Sequence, residues 1–144
     1  MKISQLSIFL ENKEGRLWNA LDVLAKNNIN IRALSLADTS DFGILRLIVQ
    51  DPEKAKTILE ENDFIVKIKN VIGVELEDTP GGLSSVLKIL NDNKINLEGL
   101  YAFTHDNTQI AILLLQSNDL DSIIKILIKN NISILLPEDV YNLG

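Results

Sequence analysis

The sequence is notable first for what it lacks. None of its 144 residues is a cysteine, which excludes disulfides, a thiolate nucleophile and cysteine-ligated metals. Aromatic residues make up only 5% of the chain, so a core must be built from Leu, Ile and Val. The longest unbroken apolar run, Ile110 to Leu115, is far too short to span a bilayer, and polar residues interrupt any signal-peptide core near the N-terminus. These absences predict a cytoplasmic protein with no membrane partner.

The charge balance argues against nucleic acid as a partner. The chain has 14 basic and 20 acidic residues, a net charge of −6 and a pI near 4.7. Nucleic-acid binding requires clustered Lys and Arg, and no such cluster is present. An RNA-binding sheet should also carry aromatic residues on its central strands, which this composition does not supply.

Candidate catalytic groups are equally scarce. His105 is the only histidine, and the turn around it offers Asp106 as its only nearby partner, so we interpret it as a solvated turn residue. No serine has a histidine base near it in sequence. We therefore predict no catalytic residue, no metal site and no cofactor.

An internal repeat organises the chain. The segment from Leu10 to Leu17 matches the segment from Leu76 to Leu83 at an offset of 81 − 15 = 66. The same offset relates several later pairs, and beyond Gln116 the register slips by about two. Those later pairs are Leu21 and Leu87, Asn30 and Asn96, Leu34 and Leu100, Ile44 and Ile110, Leu47 and Leu113, and Gln50 and Gln116.

Within each copy, hydrophobic periodicity alternates between strand and helix types. A helical stripe at Leu17, Ala20, Leu21 and Leu24 recurs at Leu83, Val86, Leu87 and Leu90. The order is βαββαβ twice, a ferredoxin-like α+β plan with an antiparallel sheet and helices on one face. The predicted strands are 3–10, 31–37, 43–49 and 64–68 in the first copy and 71–77, 97–104, 108–116 and 133–136 in the second; the predicted helices of the second copy are 82–93 and 120–130.

The strand patterns also predict how the units assemble. Between Ile44 and Val49 both the odd-numbered and the even-numbered positions are apolar, apart from Arg46, and every residue from Ile110 to Leu115 is apolar. Both faces of these strands are therefore apolar. A sheet covered by helices on one side should be polar at alternate positions. We therefore expect the helix-free face to be covered by another chain, in a homodimer.

The loop between first strand and first helix carries the functional signal. In the second copy it contains Asp78, Thr79, Pro80, Gly81 and Gly82, followed by Leu83. Glycine allows a sharp turn and a close approach of a ligand, and the following helix offers N–H groups that suit a carboxylate. Asp78, or Asn12 in the first copy, could accept from an ammonium group. About equally well, Thr79 and Pro80 could form a plain N-cap and first helical position.

These motifs resemble the ACT domain, a βαββαβ regulatory module of amino-acid metabolism. The resemblance rests on the DxPGxL loop at Asp78 to Leu83, its counterpart at Asn12 to Leu17, and the asparagines Asn30 and Asn96. It implies a tandem ACT protein with domains at residues 1–70 and 71–144. The first copy departs from the motif, because Asn12 replaces the acid and Glu14 the proline, which puts equal ligand affinity at the two loops in doubt.

The resemblance implies an amino-acid sensor without catalytic activity, or alternatively a regulatory subunit that docks on an amino-acid biosynthetic enzyme such as acetolactate synthase. Its free amino-acid ligand would sit at the loops, together with strand residues where one unit meets a neighbour. The implied ligand-binding residues are Asn12, Glu14, Gly15, Arg16, Leu17, Asp78, Thr79, Pro80, Gly81, Gly82 and Leu83.

Four further residues keep two interpretations each. Trp18 is either an interface residue or a pocket wall, and Tyr101 is either a pocket wall or a core residue. Arg16, at a helix start, faces a ligand carboxylate or pairs with Glu11 or Glu14. Arg46 needs a partner, which could be Asp41 or a dimer mate.

Overall fold

The computed structural model describes residues 1–11, 13–38, 42–104 and 109–141, which form two compact units. We call them the N-terminal unit, Ser4–Lys69 with Tyr141, and the C-terminal unit, Met1–Ile3 with Asn70–Val140. The assignment of domains to residues 1–70 and 71–144 stays a prediction.

The elements follow the predicted α+β order, which is confirmed. Each unit has antiparallel strands and two longer helices. The elements are β1 (Lys2–Glu11), α1 (Arg16–Lys26), β2 (Ile31–Asp38), β3 (Phe42–Val49), α2 (Pro52–Glu61), β4 (Ile65–Glu77), α3 (Gly82–Asp92), β5 (Gly99–Thr104), β6 (Ile110–Gln116), α4 (Leu120–Lys129) and α5 (Pro137–Tyr141). In the described part of the chain, no helix is long and apolar enough to cross a membrane.

In the N-terminal unit the strands lie in the order β2-β3-β1-β4. Strand β1 pairs with β3, with Leu6 opposite Leu47 and Ile8 opposite Leu45. These side chains share one face, where they pack into a single buried cluster with Ala20 and Leu24 of α1 and with Ala55 and Leu59 of α2. Of the helical stripe predicted from the sequence, Ala20 and Leu24 are buried and Leu21 is half-buried, whereas Leu17 at the start of α1 is exposed.

The C-terminal unit repeats this arrangement with β5-β6-β4. Residues 133–135 lie along β4, because Glu75 N–H donates to the Ser133 carbonyl and Leu135 N–H to the Gly73 carbonyl, at 3.0 and 2.8 Å. The predicted last strand is therefore reduced to a short antiparallel bridge at Ile134. Its core holds side chains from β4, β6, α3 and α4 that match those of the N-terminal unit in kind.

The four longer helices end in the same way. Each is followed by an Asn whose side-chain Nδ2 donates to the carbonyl four residues earlier at 2.8 Å, and then by a residue with φ between 58° and 67°. The amide of the next residue bonds back to the helix, which is the Schellman pattern and directs the chain into the following segment. The left-handed residues are Asn28, Asp63, Lys94 and Asn131.

Two details of the predicted boundaries are wrong. The strands expected at residues 64–68 and 71–77 form one continuous strand, β4. The two-residue slip between the copies also occurs earlier than expected. Asp38 pairs with Gly43 but Thr104 pairs with Ala111, so the slip falls in the second hairpin loop and β3 corresponds to β6 at an offset of 68.

The reasoning that led to a homodimer also needs correction. Ile48 and Leu114 lie at the apolar positions that were expected to need a second chain, yet each is fully buried (0% exposed) within this chain. These positions therefore give no argument for a dimer. A homodimer stays a prediction that needs other support.

Candidate functional site

The loops before α1 and α3 adopt the same turn. Gly15 has φ 83° and ψ −10°, and Gly81 has φ 89° and ψ −9°. These are the values of the third residue of a type II turn, where a left-handed conformation favours glycine. The turns are closed by Arg16 N–H to the Lys13 carbonyl at 3.4 Å and by Gly82 N–H to the Thr79 carbonyl at 3.0 Å.

This geometry decides between the two interpretations of Thr79, because it is not the N-cap of α3. Helix α3 begins at Gly82 and its N-cap is Gly81, which offers no capping side chain. Pro80 accordingly precedes the helix and occupies the second position of the turn, where its fixed φ is favourable. Within the described residues no side chain caps the first-turn amides of α3, which leaves N–H donors at the positive end of the helix dipole.

A cavity of about 560 Å³ lies against this loop in the C-terminal unit. Its walls come from the end of β4, the loop, the first turn of α3 and the paired strands β5 and β6. The lining residues are Leu76, Glu77, Asp78, Thr79, Leu83, Ala102, Phe103, Thr104 and Ala111.

Strand register explains the position of this cavity. Ala111 lies opposite both Leu76 of β4 and Thr104 of β5, and Ala102 lies opposite Leu113 of the helix-side core. Leu76, Ala102, Thr104 and Ala111 therefore share the face that carries the helices. Strand β5 is at the edge of the order β5-β6-β4. The small side chains of Ala102 on β5 and Ala111 on β6 leave space beside the start of α3.

The polar groups of the cavity are acidic or neutral. Asp78 and Thr79 are exposed in the loop, and Thr104 is exposed at the end of β5. Asp78 N–H donates to the Gln109 carbonyl at 2.7 Å, which fixes the start of the loop. In the part of the chain that the structure describes, the residues that line the cavity include no Lys, Arg or His. No group of three or more His, Cys, Asp or Glu side chains is placed to hold a metal ion within the described residues.

The loop of the N-terminal unit has different chemistry. Lys13 forms an ion pair with Glu11 at 3.0 Å, and the hydrogen bond from Lys13 lowers the pKa of the Glu11 carboxyl. The Arg16 guanidinium stacks on the Phe64 ring, with its central carbon 4.4 Å from the ring centroid. Among the described residues the buried Nε of Arg16 has no hydrogen-bond partner.

A smaller cavity of about 340 Å³ lies elsewhere in the N-terminal unit. It is lined by Asn28, Ile29, Gln50, Asp51 and Lys54. The Asp51 side chain there already accepts from the Lys54 amide at 3.3 Å, so the start of α2 is capped. This cavity thus lacks the open helix start of the larger one.

The structure places the predicted site residues unequally. Asp78, Thr79 and Leu83 line the larger cavity, whereas Pro80, Gly81 and Gly82 shape the turn without lining it. Glu14, Gly15 and Leu17 are exposed at the other loop, and Asn12 lies outside the described residues. The wall residues on β4, β5 and β6 were not predicted. A comparison of the two copies could have identified Ala102 as a wall residue, because the first copy has the larger Leu36 at the corresponding position, 66 residues earlier.

The remaining candidates lie away from this cavity lining. Trp18 is 66% exposed on α1, and Tyr101 is half-buried on β5 but does not line the cavity. Arg46 is half-buried on β3, opposite Ser7 and Ser35. His105, with Asp106 beside it, lies outside the described residues, as does Asp41.

Similar proteins were found by sequence and by structure. The protein BT0572 from Bacteroides thetaiotaomicron is 42% identical, with a TM-score of 0.93 over 99% of this chain and 98% of that one. The ligand-free regulatory subunit of aspartate kinase from Thermus thermophilus is 11% identical over 88% of this chain and 91% of that chain, with a TM-score of 0.62, which is a likeness of fold alone.

A curated relative is the acetolactate synthase small subunit of Buchnera aphidicola subsp. Baizongia pistaciae. It is 32% identical over 79 residues, which are 54% of this chain and 50% of that subunit. The chain thus matches about half the length of this relative. The family model described as an ACT domain pair matches residues 1–143. The chain therefore belongs to the ACT domain pair family, a family of regulatory domains.

Proposed function

We propose that this protein is a non-catalytic sensor that binds a free amino acid in the cavity of the C-terminal unit. The cavity of about 560 Å³ beside the Asp78–Leu83 loop is the observation that carries this proposal. Its volume falls within the range of roughly 300–1,000 Å³ that is usual for small-molecule sites.

The cavity offers complementary groups for both ends of an amino acid. The open start of α3 provides N–H donors and a positive dipole end for the carboxylate. Asp78 borders the same space and provides an acceptor for the ammonium group. Binding would bring α3, the loop and the edge strand β5 together around one ligand, and this stabilisation would be the regulatory signal.

The lining supports binding rather than a reaction. Among the described lining residues, no histidine or lysine stands beside the hydroxyl groups of Thr79 and Thr104 to act as a base. His105, which follows Thr104 in sequence, lies outside that part of the chain. Its carboxyl groups lie on an open surface rather than in a buried acidic pair. The assignment of ACT domains to residues 1–70 and 71–144 belongs to the same proposal.

We test this proposal by calorimetry and thermal denaturation with each of the twenty amino acids. A ligand at about 100 times its dissociation constant stabilises the folded state by about 2.7 kcal/mol. For a chain of this size that corresponds to a rise in Tm of roughly 5–10 °C.

Two matched variants locate the site. Asp78→Asn removes the proposed acceptor for the ammonium group and should weaken binding at least about tenfold. Asp92→Asn also removes one carboxylate, from an exposed pair with Lys88 at the far end of α3, about 15 Å away. It should leave the affinity unchanged. If no amino acid binds the wild-type protein at millimolar concentration, the sensor proposal is wrong.

The similarity to an acetolactate synthase small subunit supports a second candidate, a regulatory subunit of an amino-acid biosynthetic enzyme. It uses the same cavity and differs in having an enzyme partner. Co-purification with the catalytic acetolactate synthase subunit of the same organism tests it. An amino-acid effect on that enzyme's rate only in the presence of this chain would support the docking subunit, and no association would favour the free sensor.

We also propose a cytoplasmic homodimer. Leu34 and Leu36 support the dimer, because these side chains are 53% and 46% exposed on β2, the edge strand of the N-terminal unit. The absence of cysteine is compatible with a reducing compartment. Sedimentation equilibrium tests the dimer, and a mass equal to one chain at micromolar concentration would contradict it.

A further inference from the structure

Resting on the proposed function, we infer that the cavity of the C-terminal unit selects an amino acid with an uncharged, apolar side chain, and that Ala102 determines this specificity by leaving room for it. The inference goes beyond the proposal that an amino acid binds, because it names the class of ligand. It follows from the walls, the charges and the corresponding positions of the N-terminal unit.

The walls away from the helix start are apolar. Leu76 and Ala111 form one cross-strand pair at the back of the cavity, Leu83 of α3 covers it from the helix side, and Ala102 lies on the open edge. A ligand held at the start of α3 by its carboxylate and at Asp78 by its ammonium group would direct its side chain toward these residues. Contact with them removes apolar surface from water only if the ligand side chain is itself apolar.

The charges of the cavity disfavour ionised side chains. No described lining residue is basic, so an acidic side chain would meet no counter-ion among these residues and would lie near Asp78. Side chains alternate between faces along a strand, so Glu77 is directed away from the face that Leu76 shares with the cavity. Glu77 nevertheless lines the cavity, so its carboxylate and that of Asp78 are the two acidic groups of the described lining. A lysine or arginine side chain directed toward Leu83, Ala102 and Ala111 would contact apolar groups rather than these carboxylates.

The N-terminal unit has different residues at the positions that correspond to the cavity lining and the loop of the C-terminal unit. Leu36 occupies the position of Ala102 at the offset of 66, since the slip between the copies begins only after β5. Lys13 and Arg16 replace Thr79 and Gly82. Leucine has a larger side chain than alanine and so leaves less room beside the loop, although Leu36 itself is 46% exposed. Lys13 and Arg16 outnumber Glu14 between residues 12 and 17, whereas Asp78 is the only charged residue between 78 and 83. The two units are therefore not equivalent, and one ligand per chain is expected.

The test is isothermal titration calorimetry of the full chain with leucine, isoleucine, valine, methionine, phenylalanine, alanine, glutamate and lysine. Because each methylene in an apolar pocket changes affinity roughly 10- to 200-fold, the best of the large apolar ligands should bind at least tenfold more tightly than alanine. Glutamate and lysine should bind at least about tenfold more weakly than that ligand. The fitted stoichiometry should be one per chain.

Two variants, which swap the residues at corresponding positions of the two units, test the role of Ala102. Ala102→Leu introduces the residue of the N-terminal unit and should weaken binding of the best ligand at least about tenfold. The position is exposed on an edge strand, so an unchanged Tm without ligand is expected and excludes unfolding as the cause. The reciprocal variant Leu36→Ala should leave the affinity for the best ligand unchanged.

The outcomes separate this inference from the proposed function. Tightest binding of glutamate or lysine, or an Ala102→Leu variant with wild-type affinity, overturns the specificity inference while the amino-acid sensor stands. Absence of binding by every amino acid overturns both. Binding of a large apolar amino acid that Ala102→Leu abolishes and Leu36→Ala does not affect supports both.

Discussion

Substitution of Gly82 by alanine should destabilise the protein, because a Cβ atom at this position would collide with the backbone carbonyl of Glu77. The obstacle is main chain, so no side-chain rotation relieves it. Either the end of β4 or the start of α3 must move. Both are held by hydrogen bonds, from Asp78 N–H to the Gln109 carbonyl at 2.7 Å and from Gly82 N–H to the Thr79 carbonyl at 3.0 Å.

The magnitude follows from opposing contributions. Forcing an extra carbon into a packed site costs about 1–3 kcal/mol. Replacing glycine by alanine also restricts the unfolded chain, which stabilises the folded state by about 0.4–1 kcal/mol. The net expectation is a loss of about 1–2 kcal/mol in the free energy of unfolding, and weaker ligand binding because the first turn of α3 is displaced.

Gly73 offers a matched control. A Cβ there would lie 2.9 Å from Cδ1 of Ile3 and 3.4 Å from Cβ of Leu135. The nearest atom is the end of a flexible side chain, so a rotation costing about 0.5–1.5 kcal/mol accommodates it. The gain from restricting the unfolded chain offsets that cost, so Gly73→Ala should remain within about 0.5 kcal/mol of wild type.

Urea denaturation followed by far-ultraviolet circular dichroism measures both variants. Fluorescence is a poorer probe, because the only tryptophan, Trp18, is already 66% exposed in the folded state. Equal slopes against urea would validate the comparison of midpoints. A Gly82→Ala protein as stable as Gly73→Ala would refute the packing described for the loop.

Two further changes have defined outcomes. Hydrogen bonds from the Ser122 hydroxyl, and secondarily from its backbone amide, lower the pKa of the Asp119 carboxyl below its ordinary value of 3.8. The stabilisation that this cap gives α4 is therefore present above pH 3.8. It is lost as the pH falls through the folded-state pKa. In urea titrations Asp119→Ala should therefore be less stable than wild type at pH 7, and the difference should shrink below pH 3.8; a constant difference would contradict the capping role. Arg16→Gln removes the stacking on Phe64 and should cost about 0.5–1 kcal/mol of stability in urea titrations without changing calorimetric ligand affinity, whereas a loss of affinity would assign Arg16 to the ligand.

The repeat and the periodicities were enough to predict the fold. Each unit buries one face of its helices and strands, and the spacing of Leu, Ile and Val indicates which face that is. The boundary between the copies could not be predicted. Lys67, Lys69 and Asn70 look like a break between two strands, but their side chains are exposed and the strand continues through them. The hairpin slip was misplaced because β6 is apolar at every position up to Leu115, so a shift of two residues leaves the pattern unchanged.

For the site, the sequence predicted the loop but not the cavity wall. Glycine and proline mark a sharp turn, and Gly81 indeed has positive φ. The sequence could not decide whether Thr79 is an N-cap, because Thr79 and Pro80 fit either a cap or a type II turn, and only the backbone angles distinguish the two. Ala102 and Ala111 carry no signal of their own, since a small residue reveals space only when the neighbouring strands are known.

The most direct test of the central claim is a titration of the ¹⁵N-labelled protein followed by heteronuclear NMR. Adding the apolar amino acid with the highest affinity should shift the amide signals of Asp78, Thr79 and Gly81 to Ser84 in the loop and helix start, and those of Ala102 to Thr104 on β5. The signals of the corresponding loop residues Lys13 to Trp18 should change little. Saturable shifts confined to the N-terminal loop, or no saturable shifts with any amino acid, would contradict the account.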